Sequence, residues 1–363
     1  MLLAVKPVAW LLSLALGALT ALPAADGVRD QQWHLEFLKI DQAHSISTGS
    51  GVTVGVIDTG IDAGHPDLAG PLLLAGADFS IEKRADAWAD QDSHGTAMAG
   101  LIAAHGQAVG IAPDATILPV RDGLVRAAVD DFAASDGIRW AVNHGATVLC
   151  LAFGGPNTDQ VLQSAVEYAI DHDVVVVAGV GNTTDGDGLQ YPAGYSGVVG
   201  VAGVDENGNH ADISVVSSAA TLSAPAVNIM TTRARSVVPS GYGTSRGTSD
   251  ATAIVAGVAA LVRAKFPDMP ATEVIHRLTA TAQDRGAPGR DDEYGYGIVD
   301  PVAALTADVP PLAQSSTVET PPSQAAPSAP SRGTILVLIA AVTAAAIVLL
   351  ITAGLAVALR RRS

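Results

Sequence analysis

Five short runs of nearly unbroken apolar residues, at 52–57, 116–120, 147–152, 174–178 and 198–204, alternate with stretches of helical patterning. A strand that is apolar on consecutive residues must be covered on both faces, because neighbouring side chains point to opposite sides of a sheet. Parallel sheets meet that requirement by returning each strand through a helix. Helices are predicted over 94–105, 125–144, 159–172, 249–265 and 271–282. The alternation across residues 51–304 therefore predicts a doubly wound α/β domain, with a mostly parallel sheet and helices on both faces. Aromatic residues supply only 4% of the chain while glycines number 37, so such a core must rest on small aliphatic side chains and close backbone approach.

The two ends have a different character. Residues 1–25 carry one cation, Lys6, then an apolar run over 7–19, then Ala24 and Ala25, which is the layout of a secretory signal peptide. Residues 334–359 contain no charge and would extend ~39 Å as a helix, more than the ~30 Å hydrocarbon core of a membrane. Arg360, Arg361 and Arg362 follow at once and place residues 360–363 in the cytoplasm as a basic tail. Between them, 305–333 is rich in proline, serine and alanine and reads as a semi-extended linker. The expected organisation is a signal peptide (1–25), an N-terminal extension (26–50), the α/β domain (51–304), the linker, a transmembrane helix (334–359) and the tail. The α/β domain would then lie outside a single-pass cell-membrane anchor.

Charge and cysteine content narrow the function classes. The chain has 36 acidic and 20 basic residues, a net charge of -16. Setting aside Lys6, Arg332 and Arg360 to Arg362 leaves 15 basic residues against the same 36 acids, a net -21 for residues 26–331. A surface of that sign does not suit nucleic acid, which needs cations for its phosphates. The one cysteine, Cys150, cannot form an internal disulfide and is too few for a cysteine-based zinc site. It lies inside an apolar run, where a buried strand position fits better than a nucleophile. Asp185 and Asp187, in the glycine-rich stretch after Asn182, offer carboxylates to a structural calcium ion, but a solvated acidic loop suits them better. No cofactor or metal is otherwise indicated.

Ligands of open α/β sheets gather at the carboxyl ends of the strands. Asp58 stands there, just beyond the first strand, in VTVGVIDTGIDAGHPDL. His94 opens a small-residue helix in DSHGTAMAGLIAA, and Ser249 opens another in GTSDATAIVAGVAALV. Each motif alone also fits a turn or a helix cap. Together they provide the three groups of a charge-assisted triad: a serine nucleophile, an imidazole to take its proton, and a carboxylate to hold the imidazole. Asn182 follows the fourth apolar run in Gly179-Val180-Gly181-Asn182, placing a side-chain amide beside the Ser249 N–H as a second oxyanion donor.

These residues resemble the subtilisin-like serine proteases, the subtilases, over about residues 52–301. The resemblance implies a subtilisin-like fold and peptide-bond hydrolysis through an acyl-enzyme. It assigns Asp58, His94 and Ser249 as the triad, and Asn182 with the Ser249 N–H as the oxyanion hole. Ala152, Phe153, Gly154 and Gly155, in Leu151-Ala152-Phe153-Gly154-Gly155, resemble the family's substrate-pairing segment, which lines the pocket for the residue before the scissile bond. The front segment RDQQWHLEFLKIDQAH and the C-terminal anchor further resemble the mycosin-type, membrane-anchored subtilases that accompany type VII secretion. This implies polypeptide substrates and secretion-system components as partners.

The chain also departs from the family. Asp250 stands where methionine usually follows the nucleophile, Ala253 replaces a helix proline, Arg246 replaces an asparagine, and Ala97 replaces a second histidine. None removes a triad group, but a carboxylate at 250 disfavours a nearby oxyanion unless it faces solvent. The alternative function is accordingly a weakly active or inactive scaffold of a secretion complex. About 26 residues separate a cleavage near Ala25 from the first strand, too few for a folding prodomain. Trp33, Leu35, Phe37, Leu38 and Ile40 instead suit an ordered extension packed on the catalytic domain.

Overall fold

A computed structural model describes residues 27–70, 72–123, 131–156, 158–186 and 188–312. The expected signal peptide, most of the linker, the transmembrane helix and the basic tail lie outside the described residues. Among the described residues no helix is long and apolar enough to cross a membrane.

Seven strands form one sheet: β1 (Thr53–Asp58), β2 (Ala77–Asp78), β3 (Thr116–Arg121), β4 (Val148–Leu151), β5 (Val175–Gly179), β6 (Val199–Val204) and β7 (Ala220–Pro225). Their order is β2-β3-β1-β4-β5-β6-β7, and every neighbouring pair is parallel. Two short strands, β8 (Ile229–Thr232) and β9 (Tyr242–Ser245), form a separate antiparallel pair. The mostly parallel α/β fold is thus as the apolar runs predict. β7 was not among the predicted strands, because its sequence ATLSAP mixes polar residues into the run.

The period of two along each strand separates the two cores. Val54, Val56, Cys150, Val175, Val177, Val199 and Val201 face one side, which is covered by α3 (His94–Ala103) and α6 (Thr248–Lys265). Leu118, Val120, Leu149, Leu151, Val174, Val176 and Ala178 face the other, which is covered by α4 (Asp131–Asn143) and α5 (Gln160–Asp171). The predicted helix at 125–144 is described from Asp131 onward. α6 is buried over nearly its whole length, consistent with its alanine-rich sequence, and it crosses strands β4 to β7.

The N-terminal segment packs on this domain through α1 (Trp33–Phe37) and α2 (Ile40–His44). Leu35, Leu38, Ile40 and Ala43 join the α3/α6 core. Polar contacts add register: Gln32 Nε2 donates to the carbonyls of Val109 and Met230 at 3.1 and 3.3 Å, and the Val109 N–H donates to Gln32 Oε1 at 2.9 Å. Trp33 Nε1 donates to the Val227 carbonyl at 3.1 Å. The last described elements are α7 (Ala271–Ala280) and α8 (Pro301–Thr306), the latter capped by Asp300.

Candidate active site

Asp58 ends β1 at the carboxyl edge of the sheet and is 6% exposed. His94 is the first residue of α3, and its Nδ1 lies 2.8 Å from each Asp58 carboxylate oxygen. With Nδ1 donating to a carboxylate, the neutral ring carries its lone pair on Nε2, the state a general base needs. Nε2 is buried and has no hydrogen-bond partner among the described residues, so no hydrogen bond joins it to Ser249.

The pair is positioned by close packing and by a second buried acid. A Cβ on Gly95 would stand 2.1 Å from the Gly60 carbonyl oxygen and 3.2 Å from Asp58 Cβ, so only glycine lets α3 approach the β1 turn this closely. Asp90, 5% exposed, accepts hydrogen bonds at one oxygen from Thr59 Oγ1 (2.9 Å), Asp92 N (3.1 Å) and Ser93 N (2.7 Å). Its other oxygen accepts from Thr96 N (2.9 Å) and Thr96 Oγ1 (2.6 Å). Asp90 therefore serves the orphan donors at the start of α3 and holds Thr59, whose own N–H donates to Asp58 at 2.7 Å. Burial pushes the Asp90 carboxyl up from its ordinary value, and the Thr96 and Ser93 hydrogen bonds counter that push. A buried Arg121 at the end of β3 completes the support. Its Nε donates to the Thr59 carbonyl at 3.2 Å, and its Nη1 donates to Asp78 and Glu82 at 3.0 and 2.8 Å.

Ser249 lies in the first turn of α6 and is 6% exposed. The helix is entered through Gly247 at φ +154°, where a Cβ would stand 3.2 Å from Ser249 Oγ and 3.4 Å from Asn182 Oδ1. That juxtaposition places the serine hydroxyl and the Asn182 amide around one point. Asn182 follows β5 and is held by its oxygen, which accepts from Thr248 N at 2.9 Å and Thr248 Oγ1 at 3.3 Å. The fixed oxygen turns Nδ2 outward, where one of its two N–H groups donates to Asp185 Oδ2 at 3.0 Å.

A small cavity beside the serine is lined by Ala152, Phe153, Gly154, Gly179, Gly181, Asn182, Asp185, Gln190, Thr248 and Ser249. Gly155 does not line it; its N–H and carbonyl pair instead with Tyr191 at 3.0 and 2.8 Å. His94 and Asp58 stand at the ends of other elements, outside this lining. Asp250 does not face solvent: it is fully buried, and its Oδ1 accepts from Ser245 Oγ at 2.8 Å. Arg246 is exposed. Cys150 is fully buried in β4, and burial holds its thiol well above the usual range.

The supporting residues Asp90, Arg121 and Gln190 do not stand out in the sequence. Asp185 turns out to be the Asn182 partner, while Asp187 lies outside the described residues. Among the described residues no group of three or more His, Cys, Asp or Glu side chains converges to hold a metal ion.

Comparison with known proteins shows the family. The profile described as the subtilase family, peptidase S8, matches residues 49–297, more than half of the chain. Mycosin-1 of Mycobacterium tuberculosis is 33% identical over 349 residues, covering 80% of this chain and 76% of its own length. Fervidolysin of Fervidobacterium pennivorans is 34% identical over 325 residues; the match takes in 80% of this chain but only 46% of fervidolysin. A solved structure of the MycP3 protease from the type VII (ESX-3) secretion system superposes with a TM-score of 0.68 at 32% identity, over 79% of this chain and 91% of that one.

Proposed function

The chain belongs to the subtilase family of subtilisin-type serine proteases, and from that premise we propose that it is a membrane-anchored, extracytoplasmic endopeptidase acting through Asp58, His94 and Ser249. The observation that carries this reading is the His94 Nδ1 contact, 2.8 Å from both oxygens of the buried Asp58. It leaves Nε2 as the base on the ring edge away from Asp58.

In the proposed reaction Ser249 Oγ attacks a peptide carbonyl carbon while His94 Nε2 takes the hydroxyl proton. Asp58 stabilises the resulting imidazolium. The carbonyl oxygen, now negative, accepts from the Ser249 N–H and from the Asn182 N–H that Asp185 does not use. Collapse of the tetrahedral species breaks the C–N bond, and His94 returns the proton to the leaving amine. Water then attacks the acyl-enzyme with His94 again as base, and collapse breaks the acyl C–Oγ bond as His94 returns the proton to Ser249 Oγ. The Ser249–His94 hydrogen bond absent from the described structure forms on substrate binding, as is common for catalytic contacts. No cofactor enters any of these steps.

The wider setting rests on the sequence and on the relatives. Residues 1–25 serve as a signal peptide, 26–50 as an extension, 51–304 as the catalytic domain, and 305–333 as a linker. Residues 334–359 anchor the protein in the cell membrane, with 360–363 in the cytoplasm. The likeness to Mycosin-1 and to a MycP3 protease of a type VII secretion system supports polypeptide substrates and secretion components as partners.

A fluorophosphonate probe tests the nucleophile. The purified protein should form an adduct that Ser249→Ala abolishes. A well-folded protein that forms no Ser249-dependent adduct would instead be the inactive scaffold, a reading that the buried Asp250 favours. Protease added to intact cells should reach the catalytic domain, and a protected domain would refute the outward topology.

A further inference from the structure

The β8–β9 hairpin connects the two halves of the site. On its first strand the Thr231 and Thr232 hydroxyls donate to the Ala97 and Thr96 carbonyls of α3, at 3.1 and 2.7 Å. Just beyond it, Ala234 N donates at 2.9 Å to Ser93 Oγ, next to His94. Its second strand ends at Ser245 and leads through Arg246 and Gly247 into α6 and Ser249. The hairpin therefore borders the site from His94 to Ser249, and none of its residues lines the Asn182 cavity.

Its charge is opposite to that of its surroundings. Residues 226–249 hold three arginines and no acid, within a stretch, 26–331, that has 15 basic against 36 acidic residues. Arg235 is engaged by Asp62, which accepts from its Nε at 3.4 Å and its backbone N–H at 2.9 Å. Arg233 and Arg246 form no salt bridge among the described residues. Arg233 lies along β9. Its Cγ and Nε stand 3.5 and 3.6 Å from where a Gly243 Cβ would be, and its Nη2 donates to the Thr244 carbonyl at 2.8 Å. That bond orients the guanidinium toward the Arg246 end of the strand without neutralising it. Arg246 is exposed. The acids nearby are committed elsewhere: Asp58 to His94, Asp90 to the start of α3, Asp67 to Tyr242, and the buried Asp250 to Ser245.

In the proposed reaction His94 returns its proton to the leaving nitrogen, so that nitrogen faces His94. The residues after the scissile bond continue from it and pass over the hairpin. We propose that Arg233 and Arg246 bind carboxylates on that stretch, so that the preferred substrate is a polypeptide with aspartate or glutamate in the first few residues after the cut. A guanidinium matches a carboxylate through parallel N–H donors. The surrounding negative charge repels an acidic chain from other approaches and so favours this one. The inference rests on the proposed triad.

The full-length protein is allowed to digest a library of proteome-derived peptides, and mass spectrometry reads the residues on either side of each cut. Aspartate and glutamate should be enriched about threefold or more in the first three positions after the cut at low salt. The enrichment should shrink at about 0.5 M salt, which screens exposed charge pairs. Arg246→Lys should keep it, Arg246→Gln should weaken it, and Arg246→Gln combined with Arg233→Gln should abolish it. Arg246→Glu should turn the preference toward lysine and arginine. The residues before the cut should stay the same throughout. Arg233→Gln also removes the bond to Thr244; if it lowers the thermal melt, the two uncharged or reversed variants at 246 decide alone.

Fluorophosphonate labelling of the wild type separates the two levels of failure. Absent labelling overturns the triad and this proposal with it. Intact labelling with no acidic enrichment after the cut, or with an enrichment that Arg246→Gln and Arg246→Glu leave unchanged, overturns the role of the hairpin alone.

Discussion

Replacing His34 with leucine should stabilise the protein, and increasingly so as the medium is acidified. The imidazole is fully buried between α1 and the core, and neither ring nitrogen has a partner among the described residues. Burial, with the Arg29 charge adding to it, lowers its pKa from 6.5 to about 3. At pH 7 the ring is neutral in both folded and unfolded chains, so titration contributes nothing there. Its unpaired N–H and lone pair still forgo hydrogen bonds that water would supply, and leucine should recover about 1–3 kcal/mol.

Below pH 6.5 the unfolded chain binds a proton that the folded chain refuses, and stability falls with pH until about pH 3. At pH 5, 1.5 units below the ordinary value, the loss is ~2 kcal/mol at 1.36 kcal/mol per unit. Urea titrations followed by circular dichroism at pH 7 and pH 5, in a Ser249→Ala background to suppress self-digestion, measure both terms. Carboxylates titrating over the same range affect both proteins alike, so the difference isolates His34. Equal losses in the two proteins between pH 7 and pH 5 would refute the buried, unpaired histidine.

Three other substitutions or treatments probe the site. Asp58→Asn should leave folding intact and lower kcat by about 10⁴, the loss that the same change causes in another serine-protease triad, with KM nearly unchanged. Asp90→Asn presents N–H groups to donors that now meet a carboxylate. It should cost a few kcal/mol of stability in a thermal melt and lower kcat more than KM. Cys150 should resist iodoacetamide at pH 8 in the folded protein and react once urea exposes it; rapid labelling under native conditions would contradict its buried position.

The sheet was legible because its central strands are buried on both faces and must therefore be continuously apolar. Strands that carry polar residues escaped that signal: ATLSAP in β7, and IMTT and YGTS in the β8–β9 pair. Asp58, His94, Asn182 and Ser249 could be located because each follows a strand or opens a helix, and because few chemistries use those four residue types. The geometry places Asp58 with His94, and Asn182 with Ser249. What the sequence could not supply is any contact made across a loop. Gln190 reaches the cavity only because the chain doubles back after Asn182 to pair Tyr191 with Gly155. Nothing in Leu-Gln-Tyr-Pro marks the glutamine as part of the cavity lining. Asp185 read as a solvated acid for the same reason, since its partner is defined by the turn that joins Asp185 N to the Asn182 carbonyl.

The two halves of the site are built differently, and the difference follows from what each must do. Thr59 is where the acid–base half converges. Its N–H meets Asp58, its hydroxyl lies between the Asp90 carboxylate and the Gly95 N–H, and its carbonyl receives Arg121. Arg121 is held in turn by Asp78 and by Glu82, whose carboxyl its hydrogen bond helps bring down to about 2. Buried charges linked in this way stabilise a fold only when every partner is in place, so the arrangement fixes one orientation of Asp58 at a cost in tolerance to change. In the proposed mechanism the imidazole keeps one orientation through every proton transfer, and such a frame suits that requirement. The oxyanion half has Asn182 held at its oxygen by Thr248 and at Nδ2 by Asp185, and the segment after it carries Gly186 and Gly188 at positive φ. In the proposed function these groups meet substrates that vary along the chain. Rigidity is therefore concentrated on the proposed acid–base pair, while Asp185 and Gln190, which line the cavity beside Ser249, enter from a glycine-containing loop.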